Sequence, residues 1–290
     1  MKSHAQSTFL LLATITSLTT AAPRTDPQQK QCDGRRISPL RNSQHRTTGP
    51  LRANSTGLDS RISFGKSSEV QYSSNWAGAV QISEEITEVS GQVTFPRVAA
   101  PKGASPDQGY GGSVWVGIDG DTCSQSILQT GVDWVVQGNT ATYAAWYEWL
   151  PEASYDFDIV VNPGDQIEMK VVADSATGGT ATISNFSTNE TVSHTFSGKS
   201  ALCKQNAEWI VEDFSISDGQ GNMGLVPFAA FDTIVVTNAT YKANGETAGV
   251  SGSTIMDISQ GGQPLTNCAT SGDNNVVCKY KGAGSETRFM

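Results

Sequence analysis

SVWVGID at 113–119 and SILQTGVDW at 126–134 carry the reading of the whole chain. Successive side chains of an extended strand point to opposite faces. In the first stretch Val114, Val116 and Ile118 share one face, while Trp115, Gly117 and Asp119 share the other. In the second, Leu128, Val132 and Trp134 alternate with Ile127, Gln129, Gly131 and Asp133. Along 140–150, Trp146 and Glu148 oppose Tyr147 and Trp149; along 208–214, Glu208, Ile210, Glu212 and Phe214 oppose Trp209, Val211 and Asp213. Several strands therefore pair an apolar face with one bearing Trp, Gln and carboxylates. A solvated face favours Lys, Thr and Ser, whereas this one has tryptophans and almost no Lys. The expectation is a Trp-walled groove holding Gln129, Asp119, Asp133, Glu148 and Glu212, set against the alternative of an ordinary outer face.

Further short runs at 166–174, 180–186, 191–196 and 233–238 are rich in Val, Ile, Thr and Phe. Gly178-Gly179 and Asn-Pro-Gly at 162–164 punctuate them as turns. No stretch carries a helical stripe, which argues against βαβ architecture. The fold expected is all-β: an antiparallel two-sheet β-sandwich, jelly-roll or concanavalin-like, over residues 69–290.

Charge divides the chain. The 290 residues carry a formal net charge of -9 and only 16% charged residues, which argues against disorder overall and against coiled coil. Residues 1–22 have one Lys, an apolar stretch from Phe9 to Leu18 and then small residues, the order of a secretory signal peptide. Residues 23–68 hold nine basic residues against three acidic ones and no apolar period, so they cannot build a core and read as a disordered basic propeptide. From Glu69 onward nine basic residues face 25 acidic ones, a net of −16. Opposite charge lets the leader lie on the acidic domain, and acid weakens that attraction as carboxylates protonate. The absence of a basic stripe makes nucleic acid an improbable partner, and no later stretch is long and apolar enough to span a membrane as a helix.

An oxidising compartment suits the rest. Asn54, Asn185, Asn189 and Asn238 head Asn-X-Ser/Thr sequons, acceptors for N-glycans in a eukaryotic host. Cys123, Cys203, Cys268 and Cys278 form an even set allowing three pairings, with Cys32 apart in the leader. The spacing of Cys268 and Cys278 suits a local hairpin bridge, leaving Cys123 with Cys203. Zinc is the competing use of such residues, yet there is no Cys-X-X-Cys and His is scarce.

Familiar catalytic machinery is missing. His194 is the one histidine beyond the leader and has no Gly-X-Ser-X-Gly elbow to serve. Asp119-Gly-Asp121 lacks the later acid of a calcium loop, and neither a phosphate loop nor a dinucleotide fingerprint is present. What remains is carboxylates plus neutral donors: a Glu as general base and an amide such as Gln129 for a developing oxyanion. A glycosidase pair at Glu148 and Glu212, or a non-catalytic sugar-binding sandwich, are the alternatives.

The blocks SVWVGIDGDTC (113–123) and ILQTG (127–131) resemble those of the fungal acid glutamic peptidases, the eqolisins. SNWAG (74–78), AWYEW (145–149), AEWIVEDF (207–214) and LVPFA (225–229) continue the resemblance in order. It implies a β-sandwich endopeptidase secreted as a zymogen, active in acid, insensitive to pepstatin and needing neither cofactor nor metal. Its substrates would be proteins or peptides, its leader an intramolecular inhibitor and its state a monomer. The family's catalytic glutamine falls on Gln129 and its catalytic glutamate on Glu212, both already on the polar face by parity. The cleft residues fall on Trp76, Trp115, Asp119, Asp133, Trp146 and Glu148, and the disulfides on Cys123–Cys203 and Cys268–Cys278. Two positions depart from the family's usual residues: Ala144 where Asp is frequent, and Leu150 where Tyr is frequent.

Overall fold

A computed structural model describes residues 45–46, 49–51, 70–217, 220 and 222–282. In chain order the principal strands are β1 (Gln71–Ser73), β2 (Trp76–Ile82), β3 (Ile86–Thr94), β4 (Gly109–Ile118), β5 (Leu128–Gln137), β6 (Thr140–Trp149) and β7 (Gln166–Ser175). They continue as β8 (Gly178–Asn185), β9 (Glu190–Phe196), β10 (Asn206–Glu212), β11 (Ile234–Ala243), β12 (Thr254–Gln260), β13 (Thr266–Thr270) and β14 (Val276–Tyr280). No helix occurs among the described residues.

Two sheets form the sandwich. One runs in the order β1-β12-β2-β10-β4-β5-β6, the other β9-β8-β7-β3-β11-β14-β13. Pairing is antiparallel except between β1 and β12. The sandwich reading and the strand alternation of 113–119, 126–134, 140–150 and 208–214 hold. Val114, Val116, Ile118, Leu128, Val132 and Trp134 enter the main core, facing Val89, Val93, Ile167, Met169 and Val171 of the second sheet. Each such burial stabilises the fold by roughly 1.5–3 kcal/mol.

The first sheet is unusual on its outer side. Nine of the ten residues of β5 are buried, and all seven of β10. Antiparallel sheets with one solvated face show alternating burial, so this face is covered too. Trp76, Val80, Trp115, Ile127, Trp146, Ile210 and Met256 form a second apolar cluster there.

Both expected disulfides are present, Cys123–Cys203 and Cys268–Cys278. The second joins directly paired residues of β13 and β14. The first ties the loop after β4 to the segment entering β10, two strands that are neighbours in the sheet. Residues 1–22, expected to be a signal peptide, and Cys32 lie outside the described residues.

Gly78 in β2 has φ +137, and a Cβ there would stand 2.1 Å from the Trp209 carbonyl oxygen of β10. A side chain therefore collides with backbone in an unfavourable conformation. Gly78→Ala is expected to lower Tm by at least about 3 °C in a thermal melt.

Candidate active site

Cross-strand register builds the site. One row across the sheet runs Trp76, Glu212, Ser113, Asp133, Ala144. A second runs Gly78, Ile210, Trp115, Gly131, Trp146, and a third Val80, Glu208, Gly117, Gln129, Glu148. Parity placed these residues on one face, and the register now orders them. Gln129 and Glu212 belong to different rows, with the Trp115 row between. Gln129 shares its row with Glu208.

Trp115 spans the rows because two glycines make space for it. A Cβ at Gly117 would lie 2.9 Å from Trp115 Cζ3, and one at Gly131 would lie 2.5 Å from Trp115 Cβ. The indole reaches Glu212, its Nε1 donating to Glu212 Oε2 at 2.8 Å. Trp76 meets Trp115 edge-on, with centroids 4.9 Å apart at 77°. Leu150, one of the departures from the family pattern, packs against this cluster. Ala144, the other, is paired with Asp133.

Glu212 is fully buried and has a second donor, Asn75 Nδ2, 3.3 Å from its Oε1. Gln129 is buried as well and donates Nε2 to Glu148 Oε2 at 2.8 Å. That bond fixes the orientation of the amide, whose nitrogen carries two N–H donors. Glu148, Asp133, Trp76, Trp115 and Trp146 all lie on this face as expected.

Asp119 departs from the expectation. It follows β4 at φ +69, and its carboxylate accepts the backbone N–H of Lys204, Gln205 and Asn206 at 2.8, 2.7 and 3.2 Å. It anchors the segment entering β10 rather than presenting acid in the groove. Burial raises its pKa, and these backbone donors oppose the rise. Its nearest cysteine sulfurs are joined to each other in a disulfide, so they offer no thiolate to a metal.

Glu208 has a different setting from Glu212. It is fully buried, its Oε1 accepts the Asp121 N–H at 3.1 Å, and a Cβ on Gly120 would stand 3.2 Å from its Oε2. The 119–121 loop thus covers it. Burial, then the charges of Asp121, Asp119 and Glu212, hold its carboxyl well above the ordinary range. Asp213, next to Glu212 and bonded by Gln260 Nε2 at 2.7 Å, is also raised well above by burial.

Part of the basic leader lies against this face. The backbone of His45–Arg46 pairs antiparallel with Ile216 and Ser215, just beyond Glu212. Leu51 N donates to Asn75 Oδ1 at 2.7 Å, and Ser74 N donates to Leu51 O at 2.8 Å. Gly49 O accepts from Asn75 Nδ2 at 3.4 Å. Asn75 entered the sequence reading only as part of the SNWAG block, and its partners and this seating had no signal of their own, since Ser-Ser-Asn reads simply as turn chemistry.

One glycan expectation is corrected. Asn185 is fully buried, with Nδ2 donating to Val160 O and Asp165 Oδ2, both at 3.0 Å, and Oδ1 accepting Ser187 N at 3.0 Å. Its amide is used within the fold and has no room for a sugar. Asn189 and Asn238 are exposed, and Asn54 lies outside the described residues.

With the geometry in place, comparison gives the class. The Peptidase A4 family pattern matches residues 74–280. The chain is 46% identical over 226 residues to aspergillopepsin-2 of Aspergillus niger, covering 71% of this chain and 78% of that protein. It is 41% identical over 217 residues to scytalidopepsin B of Scytalidium lignicola, covering 73% and 80%. A crystal structure of scytalido-glutamic peptidase with a transition state analog inhibitor superposes with a TM-score of 0.65 at 39% identity, covering 72% of this chain and 98% of that one. The chain belongs to the Peptidase A4 family, the eqolisins.

Two predictions follow from burial. Glu208 and Asp213 have folded pKa values above their unfolded ones, so below about pH 4 both states are protonated and the groups cost nothing. As pH rises further, the unfolded chain ionises first and stability falls, by up to about 1.4 kcal/mol per pH unit for each group. Urea midpoints are expected to drop between pH 4 and 7, and Glu208→Gln to flatten that drop. In material secreted from a eukaryotic host, glycopeptide mapping is expected to find Asn189 and Asn238 occupied and Asn185 bare.

Proposed function

We propose that this endopeptidase works through Glu212 and Gln129 and is made as a secreted monomeric zymogen, its basic leader acting as the inhibitor. Membership of the family establishes peptide-bond hydrolysis of the pepstatin-insensitive glutamic kind, over the glycosidase alternative. The observation that carries the assignment to Glu212 is its setting: a carboxylate held by Trp115 and Asn75 on the face where the leader lies. Glu208, by contrast, is covered by the 119–121 loop.

In the proposed reaction Glu212 accepts a proton from water as the water oxygen attacks the peptide carbonyl carbon. A Gln129 N–H donates to the oxyanion. Glu212 then returns the proton to the amide nitrogen as the C–N bond breaks, leaving a carboxylic acid and an amine. Substrates are proteins and peptides in acid, where buried carboxyls such as Glu208 are neutral and the leader's charge attraction is weak. The leader reading is supported by the change from a basic segment to a domain of −16, and by the backbone contacts of residues 45–46 and 49–51. The domain boundary near residue 68 follows the same charge change, and secretion rests on the form of residues 1–22.

Glu212→Gln is close to isosteric. It is expected to reduce cleavage of denatured protein at about pH 2–5, with pepstatin present, by about 10²–10⁴-fold. Glu208→Gln is expected to keep activity within about tenfold; the reverse ranking would transfer the role to Glu208. Acid-treated protein is expected to begin near residue 69, and a product still beginning near residue 23 would remove the zymogen reading.

A further inference from the structure

Besides the Ser73 hydroxyl, 2.8 Å from its Oδ1, Asn75 has two sets of partners that no catalytic role yet explains. It precedes β2 in a turn closed by Ser73, whose Oγ accepts the N–H of Asn75 at 3.2 Å and of Trp76 at 3.1 Å. The backbone carbonyl of Asn75 accepts Asp213 N at 2.8 Å, which locks the residue to the end of β10 beside Glu212. Its side chain is fully buried. One side of the amide faces the catalytic strand, with Nδ2 on Glu212 Oε1 at 3.3 Å. The other faces the extended chain, with Oδ1 on Leu51 N at 2.7 Å and Nδ2 on Gly49 O at 3.4 Å.

That second set copies strand pairing. A carbonyl and an N–H two residues apart on one edge of an extended chain are met by the donor and acceptor of a single primary amide. The turn completes the seat: Ser74 N donates to Leu51 O at 2.8 Å, and the Ser73 hydroxyl lies 3.0 Å from the same oxygen. The fit is close, since a Cβ on Gly49 would stand 2.9 Å from Gly120 O. All of these contacts fall on backbone atoms, so any extended peptide of suitable course satisfies them. The side chains of such a peptide are left to the flanking cavity, lined in part by Tyr72, Asp121 and Met256.

We propose that Asn75 is a substrate-positioning residue: its amide clasps the backbone of an extended peptide and holds Glu212 toward it, in the zymogen on Gly49–Leu51 and in the active enzyme on the substrate. This deepens the reading of Glu212 as the catalytic glutamate and rests on it. Residues 47–48 lie outside the described residues. The clasp itself needs only Gly49 and Leu51. A bound peptide pairs with the enzyme here through a side chain that is also hydrogen-bonded to the reacting carboxylate. Binding and chemistry are thereby coupled through one amide.

The first test uses the full chain carrying Glu212→Gln and reads amide hydrogen exchange. The Leu51 N–H is expected to be protected, and Asn75→Ala to remove at least about tenfold of that protection while amides of β10 stay protected. Loss at both places would report unfolding, and Asn75→Leu, which keeps the side-chain volume without its hydrogen-bonding atoms, then serves in its stead with the same two outcomes. Unchanged Leu51 exchange in a folded Asn75→Ala chain overturns the clasp. The second test uses acid-treated protein without the Glu212 change. Asn75→Ala is expected to raise KM for a peptide substrate by about tenfold or more and to lower kcat. Asn75→Asp is expected to recover activity as pH falls, because a protonated carboxyl again donates to Glu212. A pH-independent loss equal in both variants overturns the positioning role. Should Glu212→Gln prove active, the catalytic reading fails, whereas the exchange result still decides the clasp.

Discussion

A tryptophan N–H on a buried carboxylate, Trp115 Nε1 on Glu212 Oε2 at 2.8 Å, is the contact on which the geometry of this site depends. A carboxylate at 0% exposure is costly unless donors meet it. Meeting this one from the neighbouring strand requires an indole placed along the sheet. That in turn requires Gly117 on its own strand and Gly131 on the next, since a Cβ at either would touch Trp115. Trp76, edge-on against the ring, and Leu150 close the surroundings with apolar surface. The second donor, Asn75, then connects the same carboxylate to the backbone of Gly49 and Leu51.

Much of this was legible in the residues. Period-two alternation in 113–119, 126–134, 140–150 and 208–214 identified the strands and told the core-facing residues from the face bearing Trp, Gln and carboxylates, because the two faces differ in residue type even where both are buried. The charge change near residue 68 is the sequence signal on which the proposed boundary between leader and domain rests. The disulfides were readable from spacing and from the family resemblance together. The N-terminal strands Trp76–Ile82 and Ile86–Thr94 and the C-terminal strands β12 to β14 were less visible. In Ile86–Thr94 the polar Glu88, Ser90 and Gln92 do alternate with buried Val89, Gly91 and Val93, but only two of those buried positions are large apolar residues, so the run does not stand out as apolar.

Other features were beyond parity. Alternation states which face a residue takes but not which row it occupies, since rows depend on the pairing of separate strands. Glu208, Gly117 and Gln129 share a row only once β10, β4 and β5 are in register. Asp119 has the parity of a groove residue, yet three backbone N–H groups from a segment some 85 positions later claim its carboxylate. Asn185 carries a legitimate sequon and is consumed by the turn that it heads. Asn75 reads as turn chemistry on its own, while its side chain finds partners 24 and 137 positions away. In each case a short polar side chain is recruited by distant backbone or a distant carboxylate, and local sequence is silent on such partners.

The most direct test of the Trp115–Glu212 contact is the pH dependence of kcat/KM for Trp115→Phe, which keeps a ring and loses the N–H donor. A donor to a carboxylate favours its ionised form, and a hydrogen bond to a charged group contributes about 1.5–3 kcal/mol. The account predicts that the acid limb of the profile moves upward by about one pH unit or more, with Tm lowered by at least about 3 °C because a buried carboxylate loses a donor. A Trp115→Phe enzyme whose profile superposes on the parent's would contradict it, because the activity would then owe nothing to the contact that orients Glu212.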